Sequence, residues 1–173
     1  MTAAAVGLDL SLTSTGVAHL HDDDAERCTA RIRVTATAPM GVRLRNIVSA
    51  VDEFAGLTAA EMVVIEDLPT HARAAGLTGQ LHGAVKMWMA DRALPPPVTV
   101  PPATLKVFAT GRGNADKTAM VVAARDRLGY LGTADDEADA LWLLEIGLHL
   151  LTHPARVALP ATHLRALTKL AGA

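Results

Sequence analysis

Four carboxylates in this chain stand where an ordinary globular fold would place apolar side chains. Asp9 lies inside VGLDLSLTSTGVA (6–18), flanked by Leu8 and Leu10 in an apolar run. Glu66 closes the apolar segment EMVVIED (61–67). Asp136 and Asp139 sit three apart in TADDEADALWLL (133–144), a spacing that puts both on one face of a helix. A buried, isolated carboxylate is expensive, and it shifts its pKa or finds a partner. Four that converge repel one another unless cations lie between them. Two Mg2+ ions would balance four negative charges with the hard oxygen ligands that Mg2+ prefers.

Each acid taken alone has a simpler account. Asp136 and Asp139 suit the positive end of a helix dipole, with Asp135 as the better N-cap and Glu137 pointing elsewhere. Glu66 fits a strand-end residue paired with an arginine. Asp9, between two leucines, is the hardest to explain as plain structure. The hydroxyl residues Ser11, Thr13, Ser14 and Thr15 ahead of Gly16 admit two readings. One is a tight hairpin turn beside a metal site, with Ser11 at most a secondary contact. The other is the phosphate-binding turn of an ATP-binding actin-like or sugar-kinase-like protein. That second architecture needs two such domains and a second phosphate loop, which 173 residues do not offer.

The elements that must hold these acids follow from periodicity. AAAVGLDLSL and STGVAHLH read as two strands joined by a tight turn, and CTARIRVTATA (28–38) as a third, giving an antiparallel meander. Val42, Leu44, Ile47, Val48, Val51 and Phe54 recur at helical spacing, with Gly56 as the stop. EMVVIEDLP is a buried strand ending in acid. Residues 72–93 form a long helix with a small face at Ala75, Gly79 and Gly83. VTV (98–100), closed in by prolines, is a short fifth strand. KTAMVVAARDRLG and the segment from about 135 to 151 are helices, and HPARVALP is a linker to a small C-terminal helix. The fold class is α/β, with a mixed five-stranded sheet.

Composition narrows the function classes. Half of the residues are hydrophobic and only 3% aromatic, so the core is Ala, Val and Leu rich. No apolar stretch approaches the roughly 20 residues that cross a bilayer, and the N-terminal residues lack a basic signal-peptide region. The single Cys28 excludes an intramolecular disulfide. These features point to a soluble, cytoplasmic protein with no membrane partner and no organic cofactor. The net charge of −2 carries no nucleic-acid signature, but residues 70–130 hold eight bases against three acids. That local excess suits a basic rim around an acidic centre, and equally suits ordinary solvated helix faces.

Several segments, in order, resemble the RuvC-type Holliday junction resolvases of the ribonuclease H-like superfamily. GLDLSLTSTG is similar to that family's opening strand and turn, VVIED to the strand carrying its catalytic Glu, and TGQLHGAV (78–85) to the helix that follows. PPATLKVFATGRGNADKTAMV (101–121) is the most specific stretch, and DDEADALWLL resembles the acid helix that closes the active site. The resemblance spans roughly residues 3–150 and rests on co-occurrence and order. Compact relatives from phages and prophages share this divergent look.

The resemblance implies a ribonuclease H-like nuclease domain over residues 1–152, with 153–173 as linker and short C-terminal helix of the same domain. It implies that Asp9, Glu66, Asp136 and Asp139 hold two Mg2+ ions, with Mn2+ able to substitute, and that Lys117 contacts the phosphate. Without the resemblance, Lys117 reads as a solvated residue in a first helical turn. Arg73, Lys106, Arg112, Asn114 and Arg125 are the further candidates for DNA contact, Arg112 and Asn114 in a glycine-bounded loop. The implied activity is resolution of four-way DNA junctions by paired nicks, performed by a homodimer built on the 72–93 helix. A related nuclease acting on flaps, replication forks, R-loops or RNA would carry the same acids. Family members often place an aromatic wedge soon after the catalytic Glu. This chain has Leu68 and Pro69 there instead.

Overall fold

The computed structural model describes residues 4–21, 26–68 and 75–170. Five strands form one sheet in the order β3-β2-β1-β4-β5. β1 (Ala5–Asp9), β2 (Thr15–His21) and β3 (Glu26–Ile32) are an antiparallel meander, and β4 (Met62–Glu66) and β5 (Val98–Val100) run parallel to β1. β3 starts and ends earlier than the alternation over 28–38 suggests. Its pairing stops where Ile32 meets Thr15, the first residue of β2, and beyond that point no partner strand remains.

Side chains alternate between the sheet's two faces. Val6, Leu8, Val17, Val63 and Ile65 pack on one face beneath α1 (Met40–Ala55) and α2 (Ala75–Ala90). Ala5, Ala18, Leu20, Val64 and Val100 line the other, beneath α3 (Pro102–Thr110), α4 (Lys117–Leu128) and α5 (Asp135–Leu150). α1 ends at Gly56, in the left-handed conformation that the stop signal requires. The helix α3 is absent from the periodicity reading, although Pro102 in its first turn and Gly111 as its left-handed cap bracket it.

The position of α5 decides where the acids go. This helix is buried almost all round, as befits an element sandwiched between a sheet and other helices. It lies directly on the strand backbones. A Cβ on Gly7 would stand 2.1 Å from the Ala140 carbonyl oxygen, and one on Gly16 would stand 1.9 Å from that of Asp136. Only glycine permits this approach. α6 (Ala161–Leu164) and the 3-10 turn after it fold back on α3, where buried His163 bonds the Phe108 carbonyl at 2.8 Å.

Candidate active site

Asp9 ends β1 and Glu66 ends β4. These strands are parallel, with Leu8 beside Ile65, so one further step of the register brings the two acids side by side. Strand parity puts both on the face that carries Gly7 and Val64, the face covered by α5. From α5, Asp139 joins them. Burial is the main reason that all three hold protons unusually tightly, and mutual repulsion adds to it. The Asp9 carboxyl is pushed up to about 6 by burial and then by Asp136. Glu66 is pushed up to about 8 by burial, then Asp9 and Asp139. Asp139 is pushed up to about 7 by burial, then Asp9 and Asp135. Asp139 Oδ1 is buried and has no hydrogen-bond partner. Three neighbouring carboxyls in this condition, at the C-terminal ends of parallel strands, are where a ligand is expected.

Two cations temper this cluster. Lys117, the first residue of α4, pairs with Asp135, which lowers the Asp135 pKa and raises that of the lysine. The same ammonium acts on Asp9, Glu66 and Asp139. Asp135 is therefore the partner of Lys117 and the first helical residue, and the N-cap position that the sequence suggests for it is held by Ala134 instead. Lys106 on α3 also lowers Glu66 and Asp139, so the basic rim reaches the acids from α3 and α4.

Asp136 is arranged differently from the other three. Its carboxylate accepts a hydrogen bond from the Ser14 hydroxyl. Arg31 Nε stands 3.0 Å from each of its oxygens, and the Glu137 amide donates to Oδ1 at 3.0 Å. Ser14 and Arg31 are site residues that the sequence reading passes over. Arg31 lies opposite Gly16 across the β2–β3 pairing, so it shares the face on which α5 rests. On the same face Thr29 bonds Glu137 and Arg27 bonds Glu145. The edge strand thus grips α5 through three polar side chains spaced by two. Ser11 turns instead to its own loop, bonding Thr13 and Thr15.

The remaining DNA-contact candidates divide. Arg112 and Asn114 are exposed in the α3–α4 loop, where Asp116 caps α4. Arg125 donates to the Gly132 carbonyl from Nε and Nη2, at 3.1 and 2.7 Å, and so holds the loop that leads into α5. Arg73 and Pro69 lie outside the described residues. Leu68 is half-buried, with its Cδ1 beside Gly79 of α2.

Among the described residues no three His, Cys, Asp or Glu side chains close into a ready coordination shell. The donor set still fits a hard divalent cation: it is all oxygen and anionic, and the unpartnered Asp139 Oδ1 has nothing else to satisfy it. Nor is any described helix long and apolar enough to cross a membrane.

A mixed five-stranded sheet of this order, with helices on both faces and acids at the ends of its central strands, defines a ribonuclease H-like fold. Residues 5–144 match the family Crossover junction endodeoxyribonuclease RuvC, and the chain belongs to that family of nucleases. Its fold is similar to that of the Thermus thermophilus RuvC structure, at 19% identity and a TM-score of 0.68, covering 88% of this chain and 97% of that one. The T. thermophilus RuvC in complex with Holliday junction substrate is similar at 20% identity and a TM-score of 0.69, covering 88% and 96%. No curated protein matches the chain.

Proposed function

We propose that this chain is a Mg2+-dependent, structure-selective endonuclease that resolves four-way DNA junctions by paired nicks, acting as a homodimer. The observation that carries the reading is the trio Asp9, Glu66 and Asp139, three neighbouring carboxyls whose burial and mutual repulsion raise their pKa values well above the ordinary carboxylate range, in a chain of this family. Such a trio is unstable as three anions and well suited to a divalent cation. A junction-bound relative of the same fold gives the substrate class.

In this reading Asp9, Glu66, Asp136 and Asp139 hold the metal. Bound there, it would activate water and stabilise the leaving oxygen of an in-line displacement at phosphorus. The protein's own share is placement. β1 and β4 hold two acids at fixed spacing, and α5 brings the others over them. Asp135 keeps the Lys117 ammonium beside the cluster, where it offsets charge on the scissile phosphate. Lys106, Arg112 and Asn114 extend a donor-rich surface along α3 and the loop after it, for the DNA backbone rather than for base edges. Arg125, which holds the loop leading into α5 through Gly132, and Arg73 are further proposed contacts. Domain assignment follows the same reading, with 153–173 as an appendage of the nuclease domain.

Symmetric resolution needs two active sites. The surface proposed for pairing is the groove between α1 and α2, lined by Leu44, Val48, Ala84, Met87 and Trp88. Met87 is exposed there at 63%, more apolar surface than a solvated helix face usually shows.

Incubation of the protein with a synthetic four-way junction and Mg2+ tests the reading. Paired nicks near the crossover are expected, and Asp9→Asn should bind the junction without cutting it. Absence of cleavage of any branched DNA by the wild type overturns the proposal. Equal cutting of linear duplex shifts it toward an unselective nuclease, and preference for flaps or RNA–DNA hybrids toward another branched substrate.

A further inference from the structure

Asp136 is the one candidate metal ligand whose carboxylate is already taken. Arg31 Nε reaches both of its oxygens at 3.0 Å, and Ser14 Oγ donates to Oδ2. The carboxylate is only 9% exposed, whereas the Arg31 side chain is 34% exposed on an edge strand. The acid is therefore fixed in place by α5 and its neighbours, and the arginine has solvent beside it. Asp9 and Asp139, by contrast, have no cation bonded to them among the described salt bridges.

We infer that Arg31 is a positioning residue that competes with a divalent cation for Asp136, and so sets how tightly the site takes its metal. The inference rests on the reading of these acids as metal ligands. With Arg31 Nε on both oxygens of Asp136, the guanidinium would stand close to any divalent ion that took one of them, and the two cations repel. For the ion to gain an oxygen of Asp136, Arg31 must swing outward, and its exposure at the sheet edge leaves room for that. Ser14 plays the lesser part. Its hydroxyl is neutral, so its loss frees one lone pair of the acid but leaves the arginine in place.

The sign of the effect separates this role from a plain structural one. If Arg31 merely oriented Asp136 for the metal, removing it would weaken ion binding. If it competes, removing it strengthens ion binding. The whole 173-residue chain, without DNA, is titrated with Mn2+ while free ion is counted by electron paramagnetic resonance. Arg31→Gln should bind Mn2+ about five-fold more tightly than wild type, the size expected for losing one partly exposed charge pair. Arg31→Lys should stay close to wild type, because it restores the competing charge. Ser14→Ala should shift affinity less than Arg31→Gln. Thermal melts of each variant identify any that fail to fold; should Arg31→Gln be one, Arg31→Ala takes its place, with tighter Mn2+ binding again expected and equal or weaker binding overturning the inference.

Equal or weaker Mn2+ binding by folded Arg31→Gln overturns the inference. The metal-centre reading is checked separately by Asp9→Asn, which should lose most Mn2+ binding whatever Arg31 does. If the wild type and Asp9→Asn bind Mn2+ alike, the metal reading fails and the role of Arg31 fails with it. If Asp9→Asn loses the ion and Arg31→Gln does not gain affinity, only the role of Arg31 fails.

Discussion

The two ends of α5 each carry a carboxylate removed from solvent, and they are treated in opposite ways. Glu145, toward the C-terminal end, is fully buried and fully partnered. Arg27 pairs with it, and the Val157 amide donates to Oε2 at 3.1 Å. Arg27 also bonds the Ala155 carbonyl at 2.8 Å, and His149 donates to the Val157 carbonyl at 3.0 Å, so this end clamps the segment leading to α6. Asp139, six residues earlier, has a buried oxygen with no partner and repels its neighbours. A buried charge with both oxygens engaged is part of the scaffold, while one with an oxygen left open is kept for something that arrives.

The sharpest way to break that contrast is to neutralise both acids. Asp139→Asn should lower junction cleavage by about 10^3-fold, the scale seen when one group that stabilises transition-state charge is lost, with no loss of melting temperature. Glu145→Ala should do the reverse. It leaves Arg27 largely buried without its partner, which costs about 3 kcal/mol of stability by urea unfolding, while the folded fraction still cuts. If Glu145→Ala abolished cleavage in folded protein, the division between the two ends would not hold.

pH sharpens the same comparison with a smaller effect. Asp9, Glu66 and Asp139 have folded-state pKa values of about 6, 8 and 7, all above the ordinary carboxylate range. The folded state therefore binds more protons than the unfolded chain between about pH 4 and pH 8, and stability falls as pH rises through that window. In the presence of a chelator, the melting temperature should be lower at pH 8 than at pH 5, and Mg2+ should restore it. Asp139→Asn should flatten the part of the slope below about pH 7. A chelated protein that grew steadily more stable from pH 5 to pH 8 would contradict this account of the cluster.

The smallest expected effect concerns the exposed pair at the start of α5. Lys117 and Asp135 side chains are 81% and 36% exposed. Asp135→Asn should change unfolding stability by less than about 1 kcal/mol, as for surface ion pairs generally. Its mark should appear in kinetics instead, as a reduced cleavage rate at unchanged junction affinity, because Lys117 loses the group that steadies it. A stability loss as large as that of Glu145→Ala would make this pair scaffold as well.

How much of this was legible depends on how far apart the interacting residues lie in the chain. Asp9 and Glu66 announce themselves locally, since an acid ending an apolar strand is conspicuous wherever the strand goes. The mixed sheet is legible for the same reason, each strand being a short apolar run with its own stop. Arg31 is not, because its partner is 105 residues away and an arginine in an alternating strand looks like a solvated one. Ser14 hides among four hydroxyl residues, and only the placement of α5 distinguishes it from Ser11. The spacing of Asp136 and Asp139 correctly puts both on α5. It does not reveal that one faces Arg31 while the other remains open, since that depends on β3.

Gly7 and Gly16 bear on something larger than packing. With α5 seated on bare strand backbone at these two points, a single added methyl at either glycine would lift the helix that carries Asp136 and Asp139 off the strands that end in Asp9 and Glu66. If the chain acts on junctions as proposed, a site framed so closely favours DNA that itself bends to meet it, and straight stacked duplex, costly to deform, should be cut less.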